Sequence, residues 1–281
     1  MTMRKFIILI FTAIIIASCE KEQLNNGHSD LLVIEGYLFA GRNVDSIRLS
    51  SAVIFNGADT LFHGIPDASI TISSNGNVYN LQPSTRTGYY FCSDNSLKII
   101  SGNTYSIDIN YAKQHMTAQT TIPGNPVGLQ ISDSVFAVDT TLTQRQLRDS
   151  SLLVQWKNPN KDYYFVILEN KDTALVPITV ASTNNRFGNF NGGAINIARR
   201  FQTRPTQDSL YRISLFSTVG NYGHYIFKLY KVSKDYASLY QSRSQSSINL
   251  NEPFTNISNG LGIFTSFSVC DSLYFRIKRL Q

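Results

Sequence analysis

The chain has 281 residues, of which 42% are hydrophobic, 16% charged and 12% aromatic, a balance too apolar for a disordered acidic chain and too poor in charge for a coiled coil. Its 25 basic against 19 acidic residues give +6, falling to +4 once Arg4 and Lys5 leave with the leader argued next, so no nucleic-acid partner is implied. The length suits one or two domains, and 15 Tyr and 17 Phe against one Trp predict a folded, tyrosine-rich protein.

Arg4 and Lys5 supply a short positive start, Phe6 to Ala17 is an apolar run broken by Thr12, and Ile16-Ala17-Ser18-Cys19 closes it. The run is shorter than the roughly 20 residues that span a hydrocarbon core of about 30 Å. Residues 1–18 therefore read as a lipoprotein signal peptide, with cleavage before Cys19. The freed Cys19 thiol can carry a diacylglycerol, and at about 0.8 kcal/mol per buried methylene three acyl chains make a nearly permanent anchor. Residues 19–30 are polar and read as a flexible tether. Its opening Glu20-Lys21-Glu22 resembles the surface-export tags of Bacteroidota-type lipoproteins, which favours the outer membrane and, of its two faces, the cell surface over the periplasm. With Cys19 acylated, Cys92 and Cys270 remain, too few for a disulfide scaffold, and they read as two buried free thiols. No C-x-x-C occurs, so paired-cysteine zinc ligation is excluded.

Residues 31–122 alternate apolar and polar positions in short runs bounded by turns, as antiparallel strands do. The predicted strands are Leu31 to Phe39, Asp45 to Ala52 with a wet outer face at Ser46, Arg48 and Ser50, Ala68 to Ser73, Val78 to Leu81, Gly88 to Cys92, Thr104 to Tyr111 and His115 to Ile122. Asn75-Gly76 supplies the positive φ angles of a tight hairpin turn. Pro123-Gly124-Asn125-Pro126 interrupts the pattern and marks a domain boundary.

Residues 127–281 form a second β-rich domain, with strands at Leu129 to Asp139, Ser151 to Trp156 and Tyr163 to Leu168, and a fibronectin-type rhythm that makes Trp156 a core anchor. Thr183 to Asp208 is a long loop or ragged hairpin. Its Arg186, Phe187, Phe190, Arg199 and Arg200 are candidate contacts for an anionic or aromatic ligand, against the plainer reading of a solvated connector. Three- and four-residue spacing of Ile226, Leu229, Tyr230, Ser233, Ala237 and Tyr240 predicts one amphipathic helix near residues 224–243, packed on the second sheet. Gly260-Leu261-Gly262 reads as a turn, and Ser266 to Val269 with Leu273 to Lys278 as a closing hairpin. The fold class is thus mainly β: two antiparallel sandwiches and one helix.

Chemistry is sparse. There is no phosphate loop, dinucleotide loop, H-E-x-x-H or G-x-S-x-G, and His28, His63, His115 and His224 stand singly. Among the carboxylates Glu35 interrupts an apolar strand, for which an outward or arginine-paired role is preferred. No catalytic residue, cofactor or metal ligand is assigned.

Several marks occur in one order: the lipobox cysteine, Leu32-Val33-Ile34-Glu35-Gly36-Tyr37, Ile65-Pro66-Asp67-Ala68, Gly88-Tyr89-Tyr90, Gly102-Asn103-Thr104-Tyr105, the Ile122-Pro123 exit and Asn251-Glu252-Pro253-Phe254 through Gly262-Ile263-Phe264. Together they resemble the domain-of-unknown-function 4249 family of Bacteroidota-type outer-membrane lipoproteins, over almost the whole mature chain. Thr265-Ser266 departs from the small Gly-Ala pair expected there. The resemblance implies a transthyretin-like or carboxypeptidase-regulatory-like first domain and an association with TonB-dependent receptors, and it carries no catalytic residues. The expected function is a non-enzymatic, lipid-anchored accessory protein in ligand capture. The alternatives are a surface hydrolase of peptide or glycan, sought around Glu35, Asp139 or Glu169, and a structural envelope protein.

Overall fold

In a computed structural model, the described residues are 32–51, 63–139, 141, 150–178, 183–185, 188–190, 198–215, 217–243 and 254–280. The early alternation yields β1 (Leu32–Phe39), β2 (Ile47–Ser51), β3 (His63–Gly64), β4 (Ser69–Ser74), β5 (Asn77–Asn80), β6 (Gln82–Pro83), β7 (Tyr89–Phe91), β8 (Thr104–Tyr111) and β9 (Gln114–Thr121). Asn75 at φ 51° and Gly76 at φ 80° turn β4 into β5, in the register Ser74 opposite Asn77 that a two-residue hairpin needs. No strand occupies residues 122–126.

Beyond lie β10 (Val127–Ile131), β11 (Val135–Val138), β12 (Ser151–Lys157), β13 (Tyr163–Asn170), β14 (Val176–Pro177), β15 (Thr183–Asn185) and β16 (Gly188–Phe190). They are followed by β17 (Arg200–Gln202), β18 (Leu210–Ser214), β19 (Asn221–Val232), the helix α1 (Lys234–Arg243), β20 (Leu261–Val269) and β21 (Leu273–Arg279). The protein is mainly β, built of packed sheets. A large sheet runs β11-β21-β19-β20-β1-β2-β7-β6, and β13 and then β17 extend from the other edge of β19. Two smaller sheets, β5-β4-β8-β9 and β10-β12-β18, complete the sandwiches.

Register and burial show how the layers meet. Residues paired across strands share a face, and faces alternate along each strand. Leu32, Ile34 and Leu38 of β1 with Phe264 of β20 join Ile70, Ile72, Ile107 and Ile109 of the four-stranded sheet in one core. Tyr164, Val166 and Leu168 of β13 with Phe227 and Leu229 of β19 join Leu152, Val154 and Trp156 of the three-stranded sheet in another. Both cores lie on the same face of the large sheet, because Ser268 beside Lys231 carries the parity of Phe264 across to Leu229. The opposite face bears a third cluster of Phe165, Ile167, Tyr230, Val232 and Phe267, which α1 partly covers. Residues Leu32–Gln281 form one compact unit.

Several expectations are corrected. The helix is confined to Lys234–Arg243, and His224–Val232 belongs to β19. In β19 Tyr225, Ile226, Phe227, Leu229, Tyr230 and Val232 are all buried, so a strand covered on both faces presents apolar residues at helical as well as alternating spacing. The helix begins only after Ser233, whose Oγ accepts the Tyr236 N–H at 3.3 Å, with Asp235 in the first turn favoured by the helix dipole.

The closing strands are not a hairpin. β20 and β21 lie in line along the same edge of β19, Phe267 to Val269 opposite Val232 to Tyr230 and Leu273 to Ile277 opposite Phe227 to Gly223, with a one-residue slip at Cys270 to Ser272. Leu129 to Asp139 is two strands in different sheets, since β10 pairs with β12 while β11 runs parallel to β21. β1 and β20 are parallel too, so the sheets are mixed; the whole intervening chain serves as the crossover that a parallel pair requires. The outer face of β2 is only partly wet: Ser46 is exposed and Arg48, about a third exposed, donates to Glu35 at 2.9 Å, but Ser50 is 2% exposed.

Thr265 and Ser266 explain their own departure from small residues. Both are fully buried, Thr265 Oγ1 bonding to Ser233 Oγ, and Ser266 Oγ donating to the Thr121 carbonyl at 2.9 Å. Their hydroxyls tie β20 to the start of the helix and the end of β9.

Candidate functional site

The face of the large sheet turned away from the two cores presents an unusual set of rings. Parity places Tyr37 and Phe39 of β1, Phe267 of β20, Tyr230 of β19 and Phe165 of β13 side by side across four neighbouring strands. Phe39 stacks on Phe267 at 4.9 Å between centroids, Phe165 stacks on Tyr230 at 4.8 Å, and Phe267 meets Phe165 edge to face at 5.9 Å. Each such pair adds about 0.5–1.5 kcal/mol beyond its buried area, which holds the rings rigidly in place. From α1, Tyr236 sets its ring edge-on above Phe267 at 4.8 Å, with Leu239 and Tyr240 beside it.

Between this helix and the rings lies a cavity of about 370 Å³. Its rim carries Arg200 and Gln202 of the outer strand β17 on one side and Arg42, which follows β1, on the other. The Arg42 guanidinium carbon lies 5.3 Å from the Phe39 ring centre, a cation–π contact. Arg200 is opposite Glu169 in register, but Glu169 is engaged by Lys171 at 3.2 Å. Among the described residues neither rim arginine has an ion-pair partner.

A second, more polar crevice of about 680 Å³ runs past Thr120 to Gly124 and Lys231 to Asp235. Its charges neutralise each other, since Lys231 pairs with Asp162 at 2.5 Å in its wall. In the aromatic cavity, by contrast, both rim arginines are without an ion-pair partner among the described residues.

The residues singled out in the sequence separate. Arg200 reaches the cavity rim. Arg199, its neighbour, instead donates to the carbonyls of Asp172 and Thr173 at 2.8 Å each and fastens the loop after β13. Phe190 closes β16, which pairs with β15, while Arg186 and Phe187 lie outside the described residues, as do Cys19 and the tether. The aromatic floor and Arg42 were missed. Their signal was present in Tyr37 and Phe39 interleaved with Ile34 and Leu38, and in Tyr163-Tyr164-Phe165: apolar residues at both parities mean a strand buried on both faces.

The ionisable groups considered for catalysis have local partners. Glu35 accepts from Arg48, and Asp139 accepts the Thr141 hydroxyl and N–H, which hold its pKa below the usual carboxylate range. Glu35 on β1 and Glu169 on β13 stand three strands apart and about ten residues out of register along the β20–β21 line, far beyond the carboxylate separations of glycosidases. His115 pairs with Asp108, and His224 with Asp172 at 3.0 Å, a hydrogen bond that lowers the Asp172 pKa. Among the described residues no three His, Cys, Asp or Glu side chains form a metal-binding group, and no helix is long and apolar enough to cross a membrane. Cys92, buried, and Cys270, half-buried at the slip between β20 and β21, are both free thiols.

Residues 20–272 match the family described as Domain of unknown function (DUF4249). The chain belongs to that family. The DUF4249 match takes in the first core, every residue of the cavity and the second core except its β21 residues, Phe275 and Ile277 among them. No curated protein matches the chain. Among solved structures it is similar to a two fibronectin type-III domain segment from chicken tenascin, at 16% identity over 71% of this chain and 88% of that one, with a TM-score of 0.20.

Proposed function

We propose that this protein is a lipid-anchored, non-enzymatic accessory of the outer membrane, displayed at the cell surface, that captures a ligand beside a TonB-dependent receptor. The observation that carries the reading is the leader of residues 1–18 ending at Cys19 and followed by a polar tether. A lipid at Cys19 and a flexible linker confine the folded part to the membrane surface and raise its effective concentration beside any partner held there. The receptor is the partner that the family resemblance implies. Capture is supported by the aromatic cavity, since concave apolar sites with a few placed polar groups are the usual form of small-ligand sites.

The test is fractionation and gentle solubilisation of the full chain from its native membranes. The wild-type protein is expected in the membrane fraction and to co-purify with a TonB-dependent receptor, whereas Cys19→Ala is expected to leave the membrane and lose the receptor. An unchanged membrane fraction for Cys19→Ala would overturn the anchor, and recovery of the lipidated protein without a receptor would overturn the partnership.

A further inference from the structure

We propose that the cavity under α1 binds a planar aromatic carboxylate, its ring laid on the Phe165, Tyr230 and Phe267 floor and its carboxylate on Arg200. The proposal rests on the capture reading above and names the chemistry of what is captured.

Three observations on independent elements lead to it. The first is a recess of ligand size. About 370 Å³ lies open beside rings that already stack on one another, a volume at the lower end of small-ligand sites. The rings differ in exposure in the way a site needs: Phe165, Tyr230 and Phe267 are at most 7% exposed and form a fixed floor, whereas Tyr37, Phe39, Tyr236 and Tyr240 are half-buried and edge the opening.

The second observation is shape. Phe165 stacks on Tyr230 at 8° and Phe39 on Phe267 at 18°, the two pairs meet at 80° through Phe165 and Phe267, and Tyr236 stands at 77° to Phe267 as a wall. A flat ring entering over this floor finds both faces and edges, the offset-stacked and edge-to-face arrangements that aromatic rings prefer. A saturated ring or a branched aliphatic chain meets the same surface without that gain.

The third observation is charge. Arg42 and Arg200 approach the opening from elements at opposite sides of the aromatic face, both exposed, and Lys228 belongs to the same face of β19 between them. The strand carboxylates of this face are engaged, Glu169 by Lys171 and Glu35 by Arg48. Arg42 already lies over Phe39, which leaves the Arg200 fork for two parallel hydrogen bonds to a carboxylate, and Gln202, opposite Ile167, adds a neutral donor beside it. A neutral aromatic would leave this cationic rim unused, and an anion without a ring would leave the floor wet.

The test measures binding of 2-naphthoate, its neutral isostere 2-naphthamide and the saturated acid cyclohexanecarboxylate to the full lipidated chain in detergent, by calorimetry and ligand-detected NMR. 2-Naphthoate is expected to bind about tenfold or more tightly than either control, the range of a charge-assisted bidentate contact. Arg200→Gln, an exposed strand residue whose loss does not endanger folding, should bring 2-naphthoate down to the level of 2-naphthamide and leave 2-naphthamide unchanged. That comparison also separates the site from partition into micelles. Equal binding of the acid and the amide, or 2-naphthoate binding untouched by Arg200→Gln, would overturn the proposal. Receptor co-purification is read separately: its loss with 2-naphthoate binding intact removes the partner and not the pocket.

Discussion

Tyr90 shows how single polar atoms hold the first sandwich. Its ring is fully buried in the first core, and its hydroxyl donates to the Ile65 carbonyl at 2.7 Å while accepting the Ala68 N–H at 2.9 Å. Burial pushes its pKa up, so the phenol stays protonated and keeps both bonds. Tyr105 repeats the device between the Lys98 carbonyl and the Ile100 N–H. Tyr90→Phe leaves a buried N–H and C=O without partners and is expected to cost about 1–3 kcal/mol. Urea unfolding of the two proteins measures it, and a difference below about 0.5 kcal/mol would mean that the hydroxyl is not what fastens this corner. Glu35–Arg48, by contrast, is about one-third exposed at both partners and belongs with the weak surface pairs.

At the scale of elements, the parallel join of β1 and β20 depends on one glycine. Gly262 has φ +107°, and a Cβ there would lie within bonding range of the Ile34 carbonyl oxygen. Gly262→Ala is therefore expected to cost about 3 kcal/mol or more, against about 1–2 kcal/mol for Gly41→Ala, where φ is positive but the surrounding space is open. Thermal unfolding of the two variants side by side decides it, and equal losses would show that backbone strain alone matters. The same element marks what the sequence could reveal. Strands with one dry and one half-wet face, such as β4 and β8, were legible within a residue or two because a period of two has one reading. β19 was not, because burial on both faces erases the period, and with it went the aromatic face. Of the candidate site the sequence singles out Arg200 as a contact. The others come from β1, β13, β19 and β20, distant strands that share a face only through pairings no local pattern encodes.

On the scale of the whole molecule the two cores share a backbone. β20 and β21 form one interrupted strand along β19, joined to β1 at one end and to β11 at the other. Phe264 and Ile257, from the far end of the chain, sit in the first core. The two sandwiches are therefore expected to unfold together. Trp156, the chain's one tryptophan, reports on the second core, and far-ultraviolet circular dichroism reports on both. Coincident denaturation curves from the two probes are the expected outcome; two separated transitions would show that the shared strand does not couple the cores.

The in-line strand also sets the order in which the chain becomes a protein. β1 is made first and its partner β20 almost last, so the first core stays open along one edge until the final residues arrive. A fold closed by such a distant pairing forms slowly and leaves strand edges uncovered meanwhile. The first core is therefore complete only when β20, more than two hundred residues further on, has joined it.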